Sequence, residues 1–154
     1  MNPPCSSSPS APSGAPPDSR PCPVNSFPGK PVGWLTVAAR TAGPVPAKRD
    51  FWLCRDPECP AVFFSEREVL SARELRTEPG FKNGTTGLLC YCFLFRREDI
   101  VREIAANGTT VTFDVIQREV KAGNCACQVR NPSGGCCLSD VRRAIEEAAR
   151  NATS

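Results

Sequence analysis

Cys90-Tyr91-Cys92, then Cys125-Ala126-Cys127, then Cys136-Cys137: this spaced block of six cysteines decides how the chain is read. The gap between Cys92 and Cys125 is long enough for two helices. Ile100, Val101, Ile104 and Ala105 share one face of the first, which Asn107-Gly108 ends. Phe113, Ile116 and Val120 mark the second, with Thr112 as its N-cap and Gly123 just past its end. Asn131-Pro132-Ser133-Gly134-Gly135 forms a turn, and Ser139 caps a third helix with Val141, Ala144, Ile145 and Ala148 inward. Leu88–Phe95, short and apolar, reads as a buried extended stretch or loop. Sulfur at both ends of a helical pair points to thiolates converging on a common centre. The alternatives are disulfides across the same gap and a four-cysteine zinc site.

Working outward, the earlier half reads as small and β-rich. Phe51-Trp52-Leu53-Cys54 and Ala61-Val62-Phe63-Phe64 flank Arg55-Asp56-Pro57-Glu58-Cys59-Pro60, which predicts a hairpin with Cys54 and Cys59 at its tip. Val32–Val37 reads as a short extended segment or strand, and a third strand is placed around Glu68-Val69-Leu70 or Glu74-Leu75-Arg76. Trp34, Trp52, Phe63 and Phe64 are the expected core here. Residues 77–87, with Pro79-Gly80 and Asn83-Gly84, read as a connecting loop. A cysteine pair in a turn is half of a structural zinc site. Cys22 is the nearest further thiol, and the competing reading is a set of ordinary thiols.

Composition limits the chemistry. The chain has 154 residues, ten cysteines, sixteen prolines and no histidine, with net charge +3. The lack of histidine excludes histidine triads and mixed cysteine–histidine sites, and we expect a binding protein rather than an enzyme. The basic residues form no tract, so no nucleic-acid partner is expected, and no apolar run is long enough for a membrane helix. Residues 1–20, rich in Pro, Ser, Ala and Gly, read as a disordered tail carrying an idle Cys5. Without a secretory leader the chain reads as cytoplasmic, where thiols stay reduced, so metal ligation is favoured and the Asn-x-Thr matches at Asn83, Asn107 and Asn151 carry no weight. The expected organisation is a tail (1–20), a zinc-knuckle-like β unit (21–76) and a helical unit (88–150), an α+β arrangement of a zinc-ribbon-like hairpin half followed by three helices.

These residues resemble a known family. Cys90-Tyr91-Cys92-Phe93, Asp99-Ile100, Gly123-Asn124-Cys125-Ala126-Cys127 and Asn131-Pro132-Ser133-Gly134-Gly135-Cys136-Cys137-Leu138 are similar to the N-terminal metal-binding domain of CopZ-type copper chaperones, whose second half resembles bacterioferritin-associated ferredoxins. So are Cys22-Pro23, Gly29-Lys30-Pro31-Val32 and Trp52-Leu53-Cys54-Arg55-Asp56-Pro57-Glu58-Cys59. The resemblance implies a [2Fe–2S] cluster on Cys90, Cys92, Cys127 and Cys137, with Cys125 and Cys136 spare, and a zinc ion on Cys22, Cys54 and Cys59. It implies electron transfer linked to copper, with Cu⁺ as a further bound metal and a redox or copper-handling protein as partner. The family pattern has Cys-Pro-x-Cys where this chain has Cys22-Pro23-Val24-Asn25, which leaves the zinc site open: three cysteines alone, Asp56 or another group as fourth donor, or no metal at all. Leu94 and Arg96-Arg97 replace a glycine and a small capping residue. Full-length chaperones of this type also carry a Met-x-Cys-x-x-Cys copper loop, and Met1 is the single methionine here.

Overall fold

The computed structural model describes residues 14–85 and 87–152. Cys5 and the first thirteen residues of the expected tail lie outside them. Asp18–Arg20, assigned to that tail from composition, are tied to the fold. The Trp52 indole N–H donates to the Asp18 carbonyl at 2.7 Å, Ser19 Oγ donates to the Gly29 carbonyl at 2.7 Å, and Arg20 begins the first strand.

The early half is an antiparallel sheet in sequence order: β1 (Arg20–Pro21), β2 (Pro28–Val32), β3 (Phe51–Leu53), β4 (Ala61–Phe64) and β5 (Val69–Ser71). β3 and β4 are buried on both faces, so they read as continuous apolar runs and not as alternating ones. One face packs Val32, Val37, Phe51, Leu53, Phe63, Leu70 and Leu75 together. The other gathers Trp52 and Phe64, stacked at 5.9 Å, with Cys22, Cys54 and Cys59. The hairpin predicted from the aromatic pair is therefore present with its cysteines at the tip.

The strand expected over Val32–Val37 is corrected. Pairing stops at Val32, opposite Phe51, and Trp34–Arg40 form a helix, α1. β-branched residues favour strands, but the following Ala38-Ala39 favour helix, and packing decides. Val37 enters the sheet core, while Thr36 faces the other half of the molecule and donates to the Gln128 carbonyl at 2.6 Å.

That other half holds a two-stranded ladder, β6 (Leu88–Cys90) with β7 (Phe95–Arg96), and the helices α2 (Arg97–Asn107), α3 (Thr112–Lys121), α4 (Cys127–Arg130) and α5 (Leu138–Ala152). α4, a single turn, was not expected. α2 and α3 both pack on α5 through Ile100, Ile104, Ile116, Val120, Val141, Ala144 and Ala148. Three details differ from the pattern reading. Val101 and Ala105 face solvent, because Ile100 and Ile104 alone fill the contact with α5. Thr112 is the buried first residue of α3, and Thr110 Oγ1 accepts its N–H at 3.2 Å in the capping role. α5 starts at Leu138, so Ser139 lies inside its first turn. Gly108 and Gly123 end α2 and α3 with φ of 76° and 80°, as helix-terminal glycines do. No helix among the described residues is long and apolar enough to cross a membrane.

Gly29 is required where it is. A Cβ there would run into the Phe64 ring and the Arg20 carbonyl, whereas Gly43 has open space around it. Gly29→Ala is expected to lower stability by about 1–3 kcal/mol through overpacking, and Gly43→Ala to be neutral or slightly stabilising. The urea-unfolding midpoints of the two variants, compared with the parent, check this.

Candidate metal centre

Two groups of sulfur emerge from this scaffold. The first is built by two turns. Cys22 N–H donates to the Phe27 carbonyl and Ser26 N–H to the Cys22 carbonyl, closing a knuckle that turns at Ser26 with φ of 64°. The Cys54 N–H pairs with the Val62 carbonyl, extending the hairpin one step beyond β3, and Cys59 N–H donates to the Asp56 carbonyl across the tip. The result places the Cys22, Cys54 and Cys59 sulfurs within 4.8 Å of one another, all buried, with Cys22 Sγ and Cys59 Sγ 3.9 Å apart. A tetrahedral zinc with Zn–S bonds near 2.3 Å sets sulfurs about 3.8 Å apart, so this trio fits that ion without rearrangement.

Asn25 completes the surroundings. Its amide nitrogen donates to Asp56 Oδ2 at 2.6 Å and its Oδ1 accepts the Phe27 N–H at 3.1 Å. That same Oδ1 lies 3.9 Å from Cys54 Sγ. Burial pushes the Cys54 thiol up to about 12. Burial also raises Cys22, but the Val24 and Asn25 N–H groups with the Cys54 and Cys59 thiols outweigh it and leave Cys22 lowered. Lys82, 7% exposed, donates its ammonium to the Asp56 carbonyl at 2.8 Å. Burial lowers its pKa while the charges of Cys54, Cys59, Asp56 and Cys22 oppose the shift. Lys82 was missed from the sequence, because a lysine in a turn-rich loop carries no pattern.

The second group comes from both ends of the α2–α3 pair. Cys90 ends β6, Cys92 follows in the turn, Cys127 opens α4, and Cys137 immediately precedes α5. The Asn131–Gly135 loop aims the last pair. Asn131 Oδ1 accepts the Ser133 N–H and hydroxyl at 3.0 Å each, and its amide donates to the Gly135 carbonyl at 3.0 Å. Cys92 Sγ lies 3.6 Å from Cys127 Sγ and accepts the Ala126 N–H at 3.1 Å. The Cys127 thiol, with help from that N–H and the Arg130 charge, lowers Cys92 to about 6. Cys137 serves Cys90 the same way, lowering it with the Phe93 and Cys92 N–H groups. The donors are raised in turn. Cys136 heads the causes for Cys127. Cys137 is drawn down by Cys127, but Cys136, Cys90 and burial prevail and raise it. The sulfurs are thus linked to one another: Cys127 meets Cys92, Cys136 and Cys137, and Cys137 also meets Cys90.

The two groups differ in shape. Among the described residues the trio of Cys22, Cys54 and Cys59 is the group of three candidate ligand atoms mutually within 4.8 Å, while the later sulfurs form a more open linked group centred on Cys127 and Cys137. None of the nine described cysteines forms a disulfide. Arg130 reaches the Cys92 carbonyl at 3.5 Å, whereas Arg142 stacks over Phe113 and Arg143 lies near Lys30.

Comparison with known proteins finds similarity to CopZ proteins. The CopZ zinc binding domain family matches residues 19–76. The copper chaperone CopZ of Archaeoglobus fulgidus is 31% identical over 126 residues, covering 79% of this chain, and the chain spans 60% of that relative's length. The X-ray structure of the Archaeoglobus fulgidus CopZ N-terminal domain superposes with a TM-score of 0.66 at 30% identity, covering 80% of this chain and 95% of that one.

In the metal-free chain, Cys92 is a thiolate above about pH 6, and thiolates are the species that alkylate. Iodoacetamide labelling of Cys92, mapped by mass spectrometry, is expected to be half-maximal near that pH and lost below it, while Cys54 stays unlabelled at neutral pH. A single midpoint near 8.5 for every cysteine, the ordinary thiol value, would contradict the pairing.

Proposed function

The chain belongs to the family of CopZ N-terminal domains, and from that premise we propose that it is a non-enzymatic metal and electron carrier. Cys90, Cys92, Cys127 and Cys137 hold a [2Fe–2S] cluster, and Cys22, Cys54 and Cys59 hold zinc. The observation that carries this is the approach of Cys92 Sγ to Cys127 Sγ at 3.6 Å beside the Cys90–Cys137 hydrogen bond. Thiolates hold such clusters in fours. A binuclear centre spreads its sulfurs over two irons, and a linked group in which no three described ligand atoms lie mutually within 4.8 Å suits it. A single zinc wants four sulfurs equally close to one another, as the trio in the first half comes near to offering.

The surrounding residues then have defined work. The Ala126 N–H and Arg130 stabilise negative charge on Cys92, the more accessible of the Cys90 and Cys92 sulfurs. The Cys127 and Cys137 thiols give up their protons on assembly, so loading releases protons and weakens in acid. A bound cluster supplies one-electron redox chemistry at this position. Cys125 and Cys136 flank it as the spare sulfurs. Univalent copper, which soft thiolates favour, is the proposed cargo, and a copper-handling or redox protein the proposed partner.

Purification without oxygen is expected to give a brown protein with about two irons per chain and visible absorption that bleaches on reduction. Cys92→Ser and Cys137→Ser should lose most of the iron and colour, Cys125→Ser should keep both, and Cys22→Ser should lose zinc but stay brown. A colourless preparation with zinc alone would remove the electron-transfer reading.

A further inference from the structure

We propose that Asn25 Oδ1 is the fourth donor of the zinc site, making it a three-thiolate, one-oxygen centre with an exchangeable fourth position. This rests on the zinc reading above and goes beyond it by assigning the last ligand and its consequence.

The orientation of the amide supports the assignment. Oxygen and nitrogen of an Asn side chain are told apart by their partners. Here the nitrogen must donate to Asp56 Oδ2, and the oxygen must accept the Phe27 N–H, so Oδ1 is the atom turned to Cys54 Sγ. Zn–S and Zn–O bonds at ordinary lengths set sulfur and oxygen about 3.6 Å apart, close to the 3.9 Å seen. Asp56 is not free to take this place. Its Oδ2 holds the Asn25 amide and its Oδ1 accepts the Glu58 N–H at 3.1 Å. A carboxylate that braces a ligand from behind in this way is the usual outer support of a metal site.

Charge supports it independently. Three thiolates and a divalent ion leave one negative charge, and four thiolates would leave two. The trio's surroundings hold one buried cation, Lys82, whose ammonium rests on a backbone carbonyl and enters no ion pair among the described residues. A neutral amide as fourth donor matches that single countercharge. A neutral oxygen also leaves the metal without needing a proton, whereas a departing thiolate competes for one. Asn25 is therefore the door of this site.

Zinc-edge X-ray absorption on the full chain, with the iron centre in place, reads the donors directly. The parent is expected to show about three sulfurs near 2.3 Å and one lighter donor near 2.0–2.2 Å. Asn25→Cys should show four sulfurs and release zinc to a chromophoric chelator about tenfold more slowly, and Asn25→Ala should release it about tenfold faster. Four sulfurs in the parent, or release unchanged in Asn25→Ala, overturns the proposal while leaving zinc binding intact. If Asn25→Ala does not fold, parent against Asn25→Cys decides. A parent without zinc overturns both this inference and the zinc reading.

Discussion

Buried sulfurs packed edge to edge are the constraint on which this molecule turns. Seven of the nine described cysteines are buried, and none is spent on a disulfide. Thiols alone gain little from such crowding, since they are weak hydrogen-bond partners, and thiolates repel one another. An arrangement that brings Cys22 to 3.9 Å from Cys59 and Cys92 to 3.6 Å from Cys127 is stable when a cation replaces the protons. The protein parts around each group are small. Metal binding at such groups adds to the stability of the fold.

The two sulfur groups are nonetheless locked into one body. α1 packs against α4, and Thr36, 1% exposed, donates to the Gln128 carbonyl within α4. Arg55, from the hairpin tip beside the trio, reaches Asp140 in the first turn of α5 at 3.5 Å. Both links start one step from a cysteine of the two groups: Gln128 follows Cys127, and Arg55 follows Cys54.

What the sequence made legible follows from the physics of each signal. The hairpin at Phe51–Phe64 was readable because turn residues and aromatic, β-branched runs act locally. So were α2, α3 and α5, whose apolar spacing is regular over ten residues or more. The helix at Trp34–Arg40 was not, because its inner residues serve two different surfaces and its β-branched residues point the wrong way. α4 is too short to have a period. Cysteine spacing named the ligand candidates, and the family resemblance narrowed them, but neither carried the amide orientation at Asn25 or the approach of Lys82. Those depend on contacts between residues far apart in the chain, such as Asn25 with Asp56 and Lys82 with the hairpin tip.

The electrostatics of the two groups argue for different duties. The trio is buried, and the one buried cation beside it is Lys82, held on the Asp56 carbonyl. A centre whose charge changed by a full unit there would be stabilised in one state and penalised in the other, because buried surroundings adapt poorly. A redox-inert ion suits that setting. Cys92 and Cys136 are partly exposed, and Cys92 is held by a backbone N–H and by Arg130 at the surface. Solvent at that edge responds to a change of charge and lowers the cost of gaining an electron. The same edge is the side from which a partner could reach the sulfurs. On these grounds the helical group is the one whose surroundings adapt to a change of charge, and the sheet group the one whose surroundings favour a constant charge.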